Sequence, residues 1–177
     1  MEAEQQINNA NITFSAPWSL TLKLVTVLTA ILLIGIGLFG IFSGLYIKTL
    51  RILWFIGIVI QPFSILIIAS FFMIRGYVIT QNTLLIKRLF WNTKLDLTTL
   101  LSVEIDTQGL KRSIRACGNG GLFCFAGLFW NKRIGSYRAF ATSPKLSVIL
   151  KFPKRTVVVT PDRPEKFTSI LKELRNL

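Results

Sequence analysis

Leu24-Val-Thr-Val-Leu-Thr-Ala-Ile-Leu-Leu-Ile-Gly-Ile-Gly-Leu-Phe-Gly-Ile-Phe-Ser-Gly-Leu-Tyr-Ile47 is a run of 24 residues without a charge. Lys48-Thr-Leu-Arg51 separates it from a second run of 23, Ile52–Ile74, which is also uncharged. At about 1.5 Å of rise per residue, each run as a helix is long enough to cross a hydrocarbon core of roughly 30 Å. Two buried core helices of this kind would swamp a domain of this size. A cleaved signal peptide would want a positive n-region, but residues 1–22 carry Glu2 and Glu4 and no Lys or Arg. The runs therefore predict a two-helix transmembrane hairpin within residues 18–75, with spans at 24–47 and 52–74.

The rest of the chain follows from that division. Of 177 residues 51% are apolar, an excess held mostly in the two runs, and the formal net charge is +13. Residues 75–177 hold 18 Lys and Arg against 6 Asp and Glu. With two spans both termini share a side. That side carries Lys23, Arg75, Lys87, Arg88 and Lys94 near the membrane, against Lys48 and Arg51 in the loop. The positive-inside bias then places both termini of this multi-pass chain in the cytoplasm. On that side the Asn11-Ile12-Thr13 sequon is a chance match, and Cys117 and Cys124 stay reduced. The chain contains no histidine, which removes the usual general base and the Ser-His and Cys-His pairs. Two cysteines do not fill a four-ligand zinc site. No enzyme chemistry, cofactor or metal is expected.

Residues 1–17 are polar and read as a disordered tail. In the hairpin, Gly37, Gly40 and Gly44 fall on one face of the first helix, and Gly40 and Gly44 have the G-x-x-x-G spacing that lets backbones approach closely in lipid. This face suits the second span of the same chain or another subunit. Gln61-Pro62 near the middle of the second span predicts a bend, because proline removes one helical hydrogen bond. A mid-depth glutamine is costly unless paired, so Gln61 and Pro62 are expected to pack on the glycine face. Trp18, Tyr46 and Trp54 suit the interfaces.

Beyond Tyr77 the period shortens from helix to strand. Leu101-Ser-Val103-Glu-Ile105-Asp alternates, as do Leu146, Val148, Leu150 and Phe152. Tyr77–Thr80 and Leu84–Trp91 flank a Gln81-Asn82-Thr83 turn, and Asn92–Leu97, Tyr137–Thr142 and Thr156–Thr160 bring the count to about seven strands. Asp162 and Glu165 have capping-box spacing, and Phe167, Ile170, Leu171 and Leu174 form the apolar stripe of a closing helix. Residues 76–177 thus predict an α+β, mostly-β domain closed by a C-terminal helix.

This order resembles the pleckstrin-homology (PH) fold, and in detail a bacterial PH-like family that often follows transmembrane helices. The residues that carry the resemblance are Tyr77-Val-Ile-Thr80, Leu84-Leu-Ile-Lys-Arg88, Gly120-Gly-Leu-Phe-Cys-Phe-Ala-Gly127, Ile134-Gly-Ser-Tyr-Arg-Ala-Phe-Ala-Thr142 and Thr156-Val-Val-Val-Thr-Pro-Asp-Arg-Pro-Glu-Lys-Phe167. They cover about residues 76–174. The resemblance implies an adaptor for lipid headgroups or proteins, without catalysis. Inositide-binding members of the wider fold use a basic first hairpin loop, whereas here that loop is the uncharged Gln81-Asn82-Thr83.

Gly118-Asn-Gly-Gly121 lacks the Gly-Lys-Ser/Thr ending of a phosphate loop and reads as a turn or bulge. Leu122–Trp130, with Phe123, Phe125, Phe129 and Trp130, either lines the core or rests in the headgroup layer with Lys132 and Arg133 on anionic lipid. The basic candidates for binding a protein partner or anionic lipid headgroups are Lys87, Arg88, Lys111, Arg112, Arg115, Lys132 and Arg133. No nucleic-acid motif accompanies the charge, and nucleic acid is not expected as a partner. The expectation is a membrane-anchored, non-catalytic adaptor that binds a protein or anionic lipid. The alternative is an accessory subunit packed into a larger membrane complex through its glycine face.

Overall fold

The computed structural model of the chain describes residues 11–44, 51–108, 110 and 112–177. Among these residues, two apolar helices rise from a ten-stranded domain closed by a C-terminal helix. Helix α1 spans Leu20–Gly44. Helix α2, residues 51–71, is α-helical over Arg51–Trp54, widens to a π-helix over Phe55–Ile60 and returns to α over Gln61–Phe71. Both are long and apolar enough to cross a membrane. The expected spans shift at both ends. The chain at 20–23 is already helical, and Ile74 has left the helix for a strand. Tyr46 and Lys48 lie outside the described residues.

The π segment has a local cause. Pro62 has no N–H, and its ring would meet the carbonyl four residues back in a regular helix. The wider turn relieves this, and the Gln61 N–H reaches back five residues to the Ile56 carbonyl. Gly37, Gly40 and Gly44 are buried on α1. A Cβ at Gly37 would stand 2.6 Å from the Phe63 ring, at Gly40 2.6 Å from Ile58 Cγ2, and at Gly44 3.2 Å from the Phe55 ring, so all three face α2. Bare Gly40 also leaves its carbonyl open, and the Trp54 indole donates to it at 3.1 Å. Pro62 is buried. Gln61, one residue and about 100° further round the helix, is exposed and does not share the packed face as expected.

The expected disordered tail includes a strand. Ile12–Ser15 forms β1 and pairs antiparallel with β2, Ile74–Ile79. Phe14 supplies the reason: it is 1% exposed and meets the Phe167 ring edge-on at 5.1 Å. Pairing continues through β3 (Thr83–Arg88) and β4 (Asn92–Asp96), giving a sheet in the order β1-β2-β3-β4. β1 thus joins the first sheet although it precedes the hairpin in the chain.

The second sheet has six strands: β5 (Ser102–Ile105), β6 (Ile114–Gly120), β7 (Phe125–Asn131), β8 (Gly135–Ala141), β9 (Val148–Phe152) and β10 (Arg155–Val159). Their order is β5-β9-β10-β8-β7-β6, with β8 and β10 parallel and every other pair antiparallel. Among the described residues ten strands replace the expected seven, because β1, β6 and β7 carry no clean alternation. The main core includes Tyr77, Leu84 and Ile86 from the first sheet and Phe140, Leu150 and Val157 from the second. The buried Tyr77 hydroxyl ties the sheets together, donating to the Phe140 carbonyl at 2.7 Å and accepting from Thr160 N–H at 3.1 Å.

Helix α3, Pro164–Arg175, closes the domain through Phe167, Ile170 and Leu171. The expected capping box does not form. Arg163 holds the cap position without a side-chain bond, while the Asp162 N–H donates to the Ser15 carbonyl of β1. Arg175 at the far end of α3 donates to the Gln81 carbonyl and to Asn82 Oδ1, covering the first hairpin turn.

Candidate functional site

Two regions gather chemistry. The first is the root of the hairpin. Between β6 and β7 the chain turns tightly at 121–124, with Gly121 at φ +133° and Phe123 at φ +67°. The turn seats on α1. Thr26 is buried although it lies on an otherwise lipid-like helix. Its hydroxyl accepts from Phe123 N–H at 3.1 Å and donates to the Gly121 carbonyl at 3.4 Å. Trp18 meets the Phe123 ring edge-on at 6.2 Å.

The root of α2 is held from the other side. The Phe72 carbonyl, at the partly negative end of the helix, accepts from Arg88 Nη1 at 3.0 Å and from the Cys124 thiol at 3.1 Å. Burial pushes that thiol from its ordinary 9.0 up to about 12. Arg88 is only 8% exposed, and its Nε donates to Thr93 Oγ1 at 3.2 Å. Its guanidinium carbon lies 5.6, 5.8 and 5.4 Å from the ring centres of Phe72, Trp91 and Phe140. Among the described residues no carboxylate pairs with it. Burial above all, and then the nearby Arg138, lowers its pKa from 12.5. The aromatic turn between β3 and β4 flanks the same root, with Phe90 4.7 Å from Phe71 and Trp91 5.7 Å from Phe72.

The second region lies at the far end of the β6–β7 ribbon, about 20 Å along the strands from the docked turn at roughly 3.3 Å per residue. A groove of about 570 Å³ there is lined by Arg112, Ile114, Trp130, Lys132 and Arg133, with Gln108 and Asn131. Arg133 shares its charge with Asp106 at 3.1 Å. Ile114 and Trp130 are exposed beside these cations.

Of the seven basic candidates, the fold brings together Arg112, Lys132 and Arg133. Arg115 stands apart and donates to the Gly118 carbonyl. Lys87 is exposed on β3 of the other sheet, and Arg88 next to it turns inward. Lys111 lies outside the described residues. The aromatic run is part core and part exposed surface, and its basic flank, Lys132 and Arg133, lies at the end of the ribbon away from the hairpin root. Cys124 joins the main core and Phe129 a smaller cluster with Tyr137 and Val158, while Leu128 and Trp130 stay exposed. Of the glycines before it, Gly121 opens the turn at φ +133°, whereas the bulge falls at Ala116, between Arg115 and Cys117. Gly118 and Gly127, paired across the strands at φ +112° and +140°, approach so closely that neither has room for a Cβ. Sequence reasoning missed Thr26 and Arg138. Only Arg138 had a signal, as an exposed position between buried Tyr137 and Ala139 on β8.

Two packed sheets closed by a C-terminal helix, carried on an apolar helical pair, define a PH-like domain with a hairpin at its base. Residues 75–175 match the family described as Bacterial PH domain, more than half of the chain, and the chain belongs to that family. The match begins inside β2, so β1 and the hairpin lie outside it. No curated protein and no solved structure matches the chain. PH domains bind proteins or lipids and are generally without catalysis, and the two apolar helices point to membrane association.

Proposed function

We propose that this is a membrane-anchored, non-catalytic adaptor of a bacterial inner membrane, with both termini cytoplasmic, whose distal groove takes an acidic segment of a partner protein. The groove carries this reading: Arg112, Lys132 and Arg133 converge there beside exposed Trp130 and Ile114. Cations around an aromatic anchor suit a short segment bearing both carboxylates and apolar side chains. Five basic residues near the root against two in the connecting loop favour the cytoplasmic orientation. A chain without histidine offers little to general acid–base chemistry.

The alternative, assembly through the glycine face, has less support, because that face is filled by α2 of the same chain. The test is comparative capture from gently solubilised membranes with the full chain and with an R112E/K132E variant. Proteins retained by the first at low salt and lost with the second identify the partner. Identical retention by both overturns the groove as the docking site.

A further inference from the structure

A second pocket, of about 380 Å³, opens beside the point where α2 enters the domain. Its lining includes Phe72, Arg88, Leu128, Arg138 and Phe140. Arg88 comes up from the interior. Arg138 comes from the exposed face of β8, and its guanidinium carbon lies 5.3 Å from the Phe140 ring centre, which Arg88 approaches to 5.4 Å. Two arginines thus share one small pocket. Neither has a carboxylate partner among the described residues. The groups that do bond Arg88 are neutral, the Phe72 carbonyl and the Thr93 hydroxyl. An almost fully buried cation without a counter-charge, with a second cation lining the same pocket, is costly unless an anion completes the site.

From this geometry we infer that the pocket binds the phosphate of an anionic glycerophospholipid, at the level where the hairpin leaves the bilayer. Guanidinium groups suit phosphate because their planar forks make charge-assisted, paired hydrogen bonds. The surroundings select a lipid over a soluble anion. The rim carries Leu128, and the adjoining turn carries Phe90 at 67% and Trp91 at 42% exposure, both packed against the last residues of α2. Exposed aromatic groups beside the end of an apolar helix are the usual lining of a headgroup layer. With no acid in the pocket to receive an ammonium, a net-negative headgroup fits better than a zwitterionic one. The inference rests on the hairpin lying in a bilayer. It does not use the distal groove, and the two sites share no residue.

The experiment uses the full chain in detergent, with phosphatidylglycerol, phosphatidylcholine or inorganic phosphate added, and reads the thermal midpoint together with lipid retention in native mass spectrometry. Phosphatidylglycerol is expected to raise the midpoint and to be retained. R138Q, at an exposed position, is expected to bind it at least about tenfold more weakly with unchanged circular dichroism. If R138Q does not fold, R138K carries the test, since it keeps the charge and loses the fork, and a several-fold loss is expected. R112E/K132E leaves this binding unchanged, which separates failure here from failure of the groove. Wild-type retention by R138Q, or by R138K where that variant is the one tested, overturns the site. Equal retention of phosphatidylcholine, or an equal shift with inorganic phosphate alone, overturns its lipid assignment.

Discussion

Alanine at Gly40 is the sharpest probe of how the hairpin is built. The new methyl would stand 2.6 Å from Ile58 Cγ2, 3.1 Å from Val59 Cγ2 and 3.3 Å from the Ile58 carbonyl carbon. Relaxed carbon contacts lie at about 3.5–4.0 Å, so α1 and α2 must separate by roughly 1 Å there. Ile58 is β-branched and its γ2 methyl has little freedom to move aside. Overpacking of this kind costs about 1–3 kcal/mol. The separation also stretches the Trp54 indole bond to the Gly40 carbonyl, for about 1 kcal/mol more. The gain of Ala over Gly in a helix interior, about 1 kcal/mol, offsets part of this. Gly35→Ala removes that gain from the comparison, because nothing lies within 4 Å of its Cβ position. The two variants should therefore differ by about 2–4 kcal/mol, the sum of the two costs. Gly37→Ala should fall between them, since the obstacle is the tip of the Phe63 ring, which can swing away. The assay is unfolding of the hairpin by SDS in mixed micelles, read by Trp54 fluorescence in a background where Trp18, Trp91 and Trp130 are Phe. Coincident transitions for Gly40→Ala and Gly35→Ala would falsify the packing described.

Phe14→Ala empties a site that is 1% exposed and edge-on to Phe167, and should lower the domain's stability by about 3–5 kcal/mol in denaturant titration. A loss under about 1 kcal/mol would show β1 to be dispensable. Cys117 is exposed and Cys124 buried with its thiol pushed up to about 12, so maleimide at pH 8 should add one label to the native chain and two to the unfolded one. Two labels on the native chain contradict the docked turn. Burial raises Tyr77 from 10.0 and Cys124 from 9.0, each to about 12. The unfolded chain therefore loses these protons first. Their contribution to stability is whole below pH 9 and declines as pH rises towards 12. Denaturation midpoints should fall over that range, and the double variant Y77F/C124A should flatten the fall. A fall of equal size in that variant assigns it to other groups.

The hairpin and the closing helix were legible because each repeats one signal many times. Two dozen uncharged residues, or Phe167, Ile170, Leu171 and Leu174 at helical spacing, need no partner to be read. The strands that escaped notice fail that condition in different ways. β1 is four residues long, and Phe14 is its one fully buried side chain. Its partner lies some 60 residues further on. β6 has no buried residue at all, so it shows no period. β7 buries Ala126 and Phe129 but leaves Leu128 and Trp130 exposed, so both faces look apolar and the alternation disappears. The site was half legible for a related reason. Lys132 and Arg133 announce a basic end, yet only the pairing of β6 with β7 brings Arg112 opposite them. Arg88 looked like a surface charge. Its burial depends on Phe72, Thr93 and Phe140, three positions that a linear pattern does not connect.

The most consequential feature is where the hairpin joins the domain. β1 ends five residues before α1 begins, and α2 ends three residues before β2. These two strands then pair side by side, with Ser15 opposite Gly76. A Cβ at residue 76 would meet the Phe14 carbonyl oxygen at 2.6 Å, so a glycine there lets the strands close. The hairpin is thus an insertion between neighbouring strands of one sheet, and not an anchor on a flexible leash. In lipid, a leash would raise the domain's effective concentration at the surface and leave its orientation free. Two strand junctions, the Thr26 bonds and the Phe72 bonds fix the orientation as well. The binding proposed for the root pocket and for the distal groove would then occur on a body already held in one orientation to the hairpin, with little rotational freedom left to lose. The same junction runs in reverse. A shift of α1 against α2 cannot be absorbed by a linker and must reach the β1–β2 pair, Phe14 and, through its contact with Phe167, the closing helix.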